Sequence, residues 1–261
     1  MNLSPKLAIL LLLISLLSMP FWLFLTEPYV VKPSPLKLYE TIHPTYYVGL
    51  GALILSIAIL CMKAEDASRP ALNPYLVTAI LATLYIQLPP IALFEHPISD
   101  HTVHIVLTFH ILRKGNIYMP NYPFPETVSP QLFASILIMV TSLPNPLENL
   151  HRISLFILPL LTTLYIYIFM RKLGTDERFA MMAGVLNMGL MLNASFMFVR
   201  STYTMPLYIM LALLIFLACK EKNPNFFVLA ILMVPSFVMS DPAHVSPVSY
   251  THLTLPTTER V

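Results

Sequence analysis

One short stretch holds most of the groups that could do chemistry. Glu95-His96-Pro97-Ile98-Ser99-Asp100-His101-Thr102-Val103-His104 carries two carboxylates and three histidines. Asp100 and His104 are four residues apart, so on a helix they share one face, with Thr108 one turn further. His101 lies about 100° away around the same helix. A carboxylate such as Asp100 can take the proton of a hydroxyl nucleophile if the two come within hydrogen-bond reach. Arg113, Lys114, Arg152 and Arg200 are cations that could neutralise an anionic group. Further along, Glu126 is the one carboxylate of the loop Tyr118–Glu126, and Asp241-Pro242-Ala243-His244 adds a carboxylate and a histidine. Asp100, His101, His104, Asp241 and His244 together offer the oxygen and nitrogen ligands that zinc accepts.

Ordinary roles compete for each of these residues. Asp100 or Ser99 can cap a helix whose body is Thr102–Leu112. Arg113 and Lys114 can snorkel toward lipid headgroups. His96 and His110 read as surface histidines. Asn187 and Asn193, inside an apolar run, read as helix-to-helix hydrogen-bonding groups.

The elements that must position these residues follow from composition. The chain has 261 residues, 57% hydrophobic and 11% charged. A soluble domain averages about 25% charged residues, so an ordinary cytosolic globule is excluded. So are a disordered chain and a nucleic-acid binder, because the net charge is only +2. Cys61 and Cys219 have no disulfide or zinc spacing. A bilayer core takes about 20 apolar residues of helix. Leu7–Leu25, Tyr46–Met62, Pro74–Phe94, Ile153–Met170, Phe179–Val199 and Tyr203–Cys219 are uncharged runs near that length, and Asn225–Met239 is a shorter one. In lipid, backbone groups must be satisfied internally, so these segments are expected to be helices. Leu7–Leu25 has no small-x-small cleavage signal and reads as an uncleaved first span. Pro89-Pro90 is expected to break the third span near its outer end, which is tolerated where neighbouring helices or a cavity re-satisfy the backbone.

Gln131–Leu143 is too short to cross and reads as re-entrant or interfacial. Basic residues collect in cytoplasmic loops. With that segment not crossing and the N-terminus inside, Lys6, Lys63, Arg69, Arg171, Lys172, Arg178, Lys220 and Lys222 are cytoplasmic. Lys32, Lys37, Arg113, Lys114, Arg152 and Arg200 are then outside. Crossing would reverse the bias. Asp100 and Asp241 therefore share the outer face, and Arg200-Ser201-Thr202 reads as a turn between two spans there. Between them, Val103, Val106, Leu107 and Ile111 suit an amphipathic helix at the membrane surface. Gly115 is placed for a left-handed C-cap, with Arg113 and Lys114 suiting the C-terminal dipole.

Asp100-x-x-x-His104, an amphipathic stretch ending Ile-Leu-Arg-Lys-Gly-Asn, and Tyr122-Pro123 ahead of a Pro-led apolar segment resemble the first outer loop of the GT-C glycosyltransferases. His151-Arg152 opening a span, Tyr165 and Tyr167, and Arg171-Lys172-Leu173-Gly174 before an Ala- and Met-rich span continue the resemblance, which covers about residues 98–199. These multi-span enzymes use polyprenyl-phosphate-linked sugars; protein mannosyltransferases and aminoarabinose transferases are among them. The resemblance implies that Asp100 activates the acceptor hydroxyl, with His104 beside it and Glu126 as a secondary carboxylate. It implies a polyprenyl-phosphate sugar donor as partner, with membrane lipids around the chain and no nucleic acid. Where the family often has Asp-Glu or Asp-x-Asp, this chain has Asp100-His101, so no paired carboxylates mark a Mg²⁺ or Mn²⁺ site and the cofactor stays open. Three spans precede the loop here, against one in a typical member.

The sequence thus predicts an all-α, polytopic bundle of about seven spans plus one short segment. Residues 1–94 form three spans, 95–152 the outer loop, and 153–247 four further spans. Residues 248–261 resemble translated sequencing-adapter read-through, so the chain is expected to be an N-terminal fragment. The expected function is sugar transfer at the extracytoplasmic face of the plasma membrane. The alternatives are a secondary transporter or lipid flippase, which would carry ionisable groups at mid-membrane, and a structural membrane protein with no site.

Overall fold

In the computed structural model the described residues are 5–26, 42–62, 73–93, 99–116, 129–142, 146–190 and 200–238. Among them the structure is entirely helical. The helices are α1 (Pro5–Leu25), α2 (Thr45–Met62), α3 (Pro74–Leu93), α4 (Ser99–Lys114), α5 (Ser129–Thr141), α6 (Pro146–Leu173), α7 (Glu177–Leu190), α8 (Arg200–Glu221) and α9 (Pro224–Val238). Four of them contain segments long and apolar enough to cross a membrane: Lys6–Leu25, Thr45–Met62, Phe156–Leu173 and Thr204–Glu221. Pro74–Pro89, Gln131–Thr141 and Pro224–Ser236 are apolar but shorter. Large apolar side chains lie open on the outside of these helices; Phe24 is 90% exposed and Leu232 68%. Such a surface is unstable in water and at home in hydrocarbon, so the chain is a helical membrane protein.

The chain divides into two compact units. The first comprises residues 1–97 and 151–197, hence α1, α2, α3, most of α6, and α7. Here α1 packs along α2, and α3 packs on α7. Trp22, Tyr46, Leu53, Leu81 and Tyr85 form one buried cluster. Ala8, Ile59, Ala79, Tyr167, Ala180 and Met181 form another. Trp22 meets Tyr46 edge-on with ring centroids 5.1 Å apart.

Helix ends in this unit follow from their terminal residues. Asn73 caps α3, its Oδ1 accepting the N–H groups of Tyr75 and Leu76 at 3.0 and 3.3 Å, with Pro74 at the first helical position. The α6–α7 turn closes as a Schellman motif. Gly174 takes φ 95°, its N–H donates to the Arg171 carbonyl, and the Thr175 N–H donates to the Met170 carbonyl at 3.2 Å. Arg171 Nη1 reinforces the turn by donating to the Thr175 carbonyl at 2.6 Å. Asp176 then caps α7, accepting the Phe179 N–H at 2.9 Å.

Proline does not end α3. The helix runs through Pro89-Pro90 to Leu93, against the expected break. Pro89 has no N–H for the carbonyl four residues back, which belongs to Tyr85. The Tyr46 hydroxyl of α2 donates to that carbonyl instead, at 2.9 Å. A neighbouring helix therefore re-satisfies the carbonyl that the first proline leaves open.

The second unit comprises residues 98–150 and 198–261. In it α4 packs on α5, and α8 packs on α9. Asn223 caps α9 through the Asn225 N–H at 3.0 Å. Arg200, Ser201 and Thr202 form the first turn of α8 rather than a loop between spans. Helical backbone from Arg200 onward satisfies its own polar groups, which a loop in lipid would not. His151 and Arg152 lie inside α6, more than a turn after its start at Pro146 and ahead of its membrane-length segment Phe156–Leu173.

Candidate functional site

Helix α4 is the element that places the acidic stretch. It starts at Ser99, earlier than the expected Thr102, so Asp100 falls in the first turn and His104 one turn on. That position suits an anion, because the first N–H groups of a helix lack intrahelical partners. The helix ends as expected. Gly115 takes φ 67°, and its N–H donates to the Ile111 carbonyl at 2.8 Å. Arg113 and Lys114 occupy the last turn and are exposed. Sixteen residues at about 1.5 Å each put roughly 20 Å of helix axis between Asp100 and the Arg113-Lys114 pair. His110 lies near the same end, its Nε2 3.2 Å from Asn116 Oδ1.

The face of α4 that packs differs from the expected stripe. Leu107 and Thr108 are fully buried, while Val106 is 46% exposed. The cause is α5, which covers the Leu107–Thr108 side with Gln131, Ala134 and Ser135, all buried. The Ser135 hydroxyl lies 2.7 Å from the Gln131 carbonyl and 3.3 Å from that of Thr108, and so ties the two helices. Thr108 is on the helix row that runs back through His104 to Asp100. With 13 residues at about 1.5 Å each, α5 spans roughly 20 Å, less than the 30 Å of a bilayer core.

The remaining candidates are placed only in part. The backbones of Asp100, His101, His104, Arg152 and Arg200 lie in helices, but their side chains are outside the described set. Glu126, Asp241, His244 and the tail 248–261 lie outside the described residues. Among the described residues no three His, Cys, Asp or Glu side chains group to hold a metal ion. No Asp, Glu, Lys, Arg or His is buried among them either.

Buried polarity is concentrated instead among neutral groups of the first unit. Tyr85 of α3 donates to the Ser15 carbonyl of α1 at 2.6 Å and sits 2.5 Å from Ser18 Oγ. Ser18 also reaches the Ser15 carbonyl, at 2.8 Å. Gly49 of α2 makes room for this pair, since a Cβ there would fall 1.9 Å from both hydroxyl oxygens. Thr83 of α3 and Thr163 of α6 are 2.7 Å apart. Gln87 of α3 is 1% exposed, and neither its amide oxygen nor its nitrogen has a partner among the described residues. Asn187 Nδ2 of α7 is also buried and has no partner among the described residues. The sequence signal for this seam was weak, because Ser, Thr, Gln and Gly scattered through apolar runs do not reveal which faces meet.

Comparison with known proteins finds no matching family model, no matching curated protein and no matching solved structure.

Proposed function

We propose that this protein is a membrane glycosyltransferase that moves a sugar from a polyprenyl-phosphate carrier to an acceptor hydroxyl at the extracytoplasmic face. The observation that carries the reading is the continuous helix Ser99–Lys114, with Asp100 in its first turn and His104 one turn on. Acceptor activation needs a carboxylate, and the first turn of a helix suits its negative charge. In this reading Asp100 takes the acceptor proton as the carrier's C1–O bond breaks. Arg152 and Arg200 neutralise the released phosphate. Arg113 and Lys114, a helix length from Asp100, engage carrier phosphate or headgroups there.

In the non-crossing arrangement of α5, about seven helices span and the acidic loop, Arg152 and Arg200 lie outside. The chain is then a plasma-membrane protein with a cytoplasmic N-terminus. The transporter alternative gains nothing from the described spans, which bury no charged side chain. The test is direct: membranes containing the full chain, given polyprenyl-phosphate-linked hexose or pentose donors, should consume the donor and release polyprenyl phosphate. No turnover with any donor would refute the proposal.

A further inference from the structure

We infer that Gln87, Asn187 and the Thr83–Thr163 pair form an intramembrane binding site for a neutral hydroxyl group, independent of the transferase reading. The placement comes from three helices of the first unit. Thr83 and Gln87 are one turn apart on a single face of α3. Thr83 meets Thr163 of α6 at 2.7 Å. On α7, Gly184 lies against this pair, since a Cβ built there would be 3.2 Å from Thr163 Cγ2 and 3.6 Å from Ala79 Cβ. Asn187 is one turn beyond Gly184.

The helices α3 and α7 rise in the same direction. Ala79 clusters with Ala180 and Met181, and Val185 packs both there and on the cluster containing Leu81, Ala82 and Tyr85. Asn187 therefore stands near the level of Thr83, and Gln87 is the next polar layer above it. The Thr83 hydroxyl donates to the Ala79 carbonyl at 2.9 Å, so Thr163 is the donor within the pair. Gln87 is left with an unused acceptor and two unused donors, and Asn187 with an unused Nδ2 donor.

A buried amide with no partner is costly in hydrocarbon, and here Gln87 is buried whole while Asn187, half-buried, buries its Nδ2. The ligand that repairs this must both accept and donate. It must also be uncharged, because α3 carries no charged residue and those of α7, Glu177 and Arg178, lie two to three turns below Asn187. A hydroxyl meets both conditions. It can belong to a water held by two to four polar partners or to a hydroxyl-bearing lipid entering from the bilayer.

The full chain is reconstituted in nanodiscs of phosphatidylcholine, which has no free hydroxyl, with and without dioleoylglycerol. The Gln87 side-chain amide is identified by ¹⁵N labelling and its disappearance in Gln87→Leu. Magnetisation transfer from water to that amide in phosphatidylcholine alone assigns the site to water. A rise in Tm with dioleoylglycerol in the wild type, absent in Gln87→Leu, assigns it to a lipid hydroxyl, because ligand binding to the folded state alone raises stability. Absence of both signals overturns the inference, whatever the stability of the variant. The readouts do not use sugar transfer, so an inactive transferase would leave this result standing.

Discussion

The hydroxyl of Tyr46 donates, at 2.9 Å, to the carbonyl of Tyr85, the acceptor that Pro89 leaves without its own helix partner. One side chain on α2 thus serves the carbonyl left open by the first of the two prolines that α3 runs through. Tyr46→Phe keeps the ring packing on Trp22 and Tyr85 but removes the donor. A buried carbonyl left unsatisfied costs about 1–3 kcal/mol. The variant should melt at lower temperature in detergent, and restoring an N–H with Pro89→Ala should recover part of the loss. Equal melting of Tyr46→Phe and wild type would show that the carbonyl does not need the phenol.

Gly49 admits Ser18 and Tyr85 against the backbone of α2. Gly49→Ala places a methyl 1.9 Å from both hydroxyl oxygens and 2.8 Å from Tyr85 Cζ. Tyr85 is fully buried and cannot swing away, so the helices must separate. Overpacking of this kind costs about 1–3 kcal/mol. Thermal unfolding should show the loss. By contrast Gly51→Ala, where a Cβ meets nothing within 4 Å, should leave melting unchanged or slightly raised.

Most of this architecture was legible in the sequence for a simple reason. Lipid requires long uncharged runs, and the edges of α1, α2 and α3 fall within two residues of the expected ones. What was not legible was the pairing of helices. Pro89-Pro90 reads as a break until Tyr46 is seen to serve the orphaned carbonyl. Val106 belongs to the apolar stripe of α4 by spacing, yet α5 covers the Leu107–Thr108 side instead. Gln87 gave no signal, because a lone amide in an apolar run has no periodicity. Arg200 reads as a loop residue by its charge, although α8 begins there. For the candidate site, spacing alone put Asp100 and His104 on one helix, and α4 contains both. Asp241 and His244 could not be related to them by any periodicity.

The α6–α7 turn should respond to acid. The carboxyl of Asp176 is held below its ordinary value near 3.8, first by the Phe179 backbone N–H and further by Arg178, whose Nη2 lies 2.6 Å away. Its folded value lies below its unfolded one, so its contribution to stability is complete above the unfolded value. That contribution is lost as pH falls through the folded value. Asp176→Ala should destabilise by about 1 kcal/mol at neutral pH through loss of the cap. The deficit should shrink below pH 4, as read from melting temperatures of both proteins across pH 3–7. A deficit constant over that range would contradict the electrostatic part of this account.

The same turn reports orientation. In the proposed arrangement Thr175 is cytoplasmic. With Cys61 and Cys219 replaced, a cysteine at Thr175 should react with an impermeant maleimide only in inverted vesicles, and one at Asn116 only in intact cells. Labelling of both from one side would place the acidic helix and this turn on the same face, and the non-crossing arrangement would fail.

The central claim is that Asp100 takes the proton of the acceptor. Asp100→Asn keeps the size and polarity of the side chain but not its basicity. The rate of sugar transfer from a polyprenyl-phosphate donor should fall by about 100-fold or more, with membrane insertion and melting temperature unchanged. Transfer at the wild-type rate by a correctly inserted Asp100→Asn protein would contradict the account.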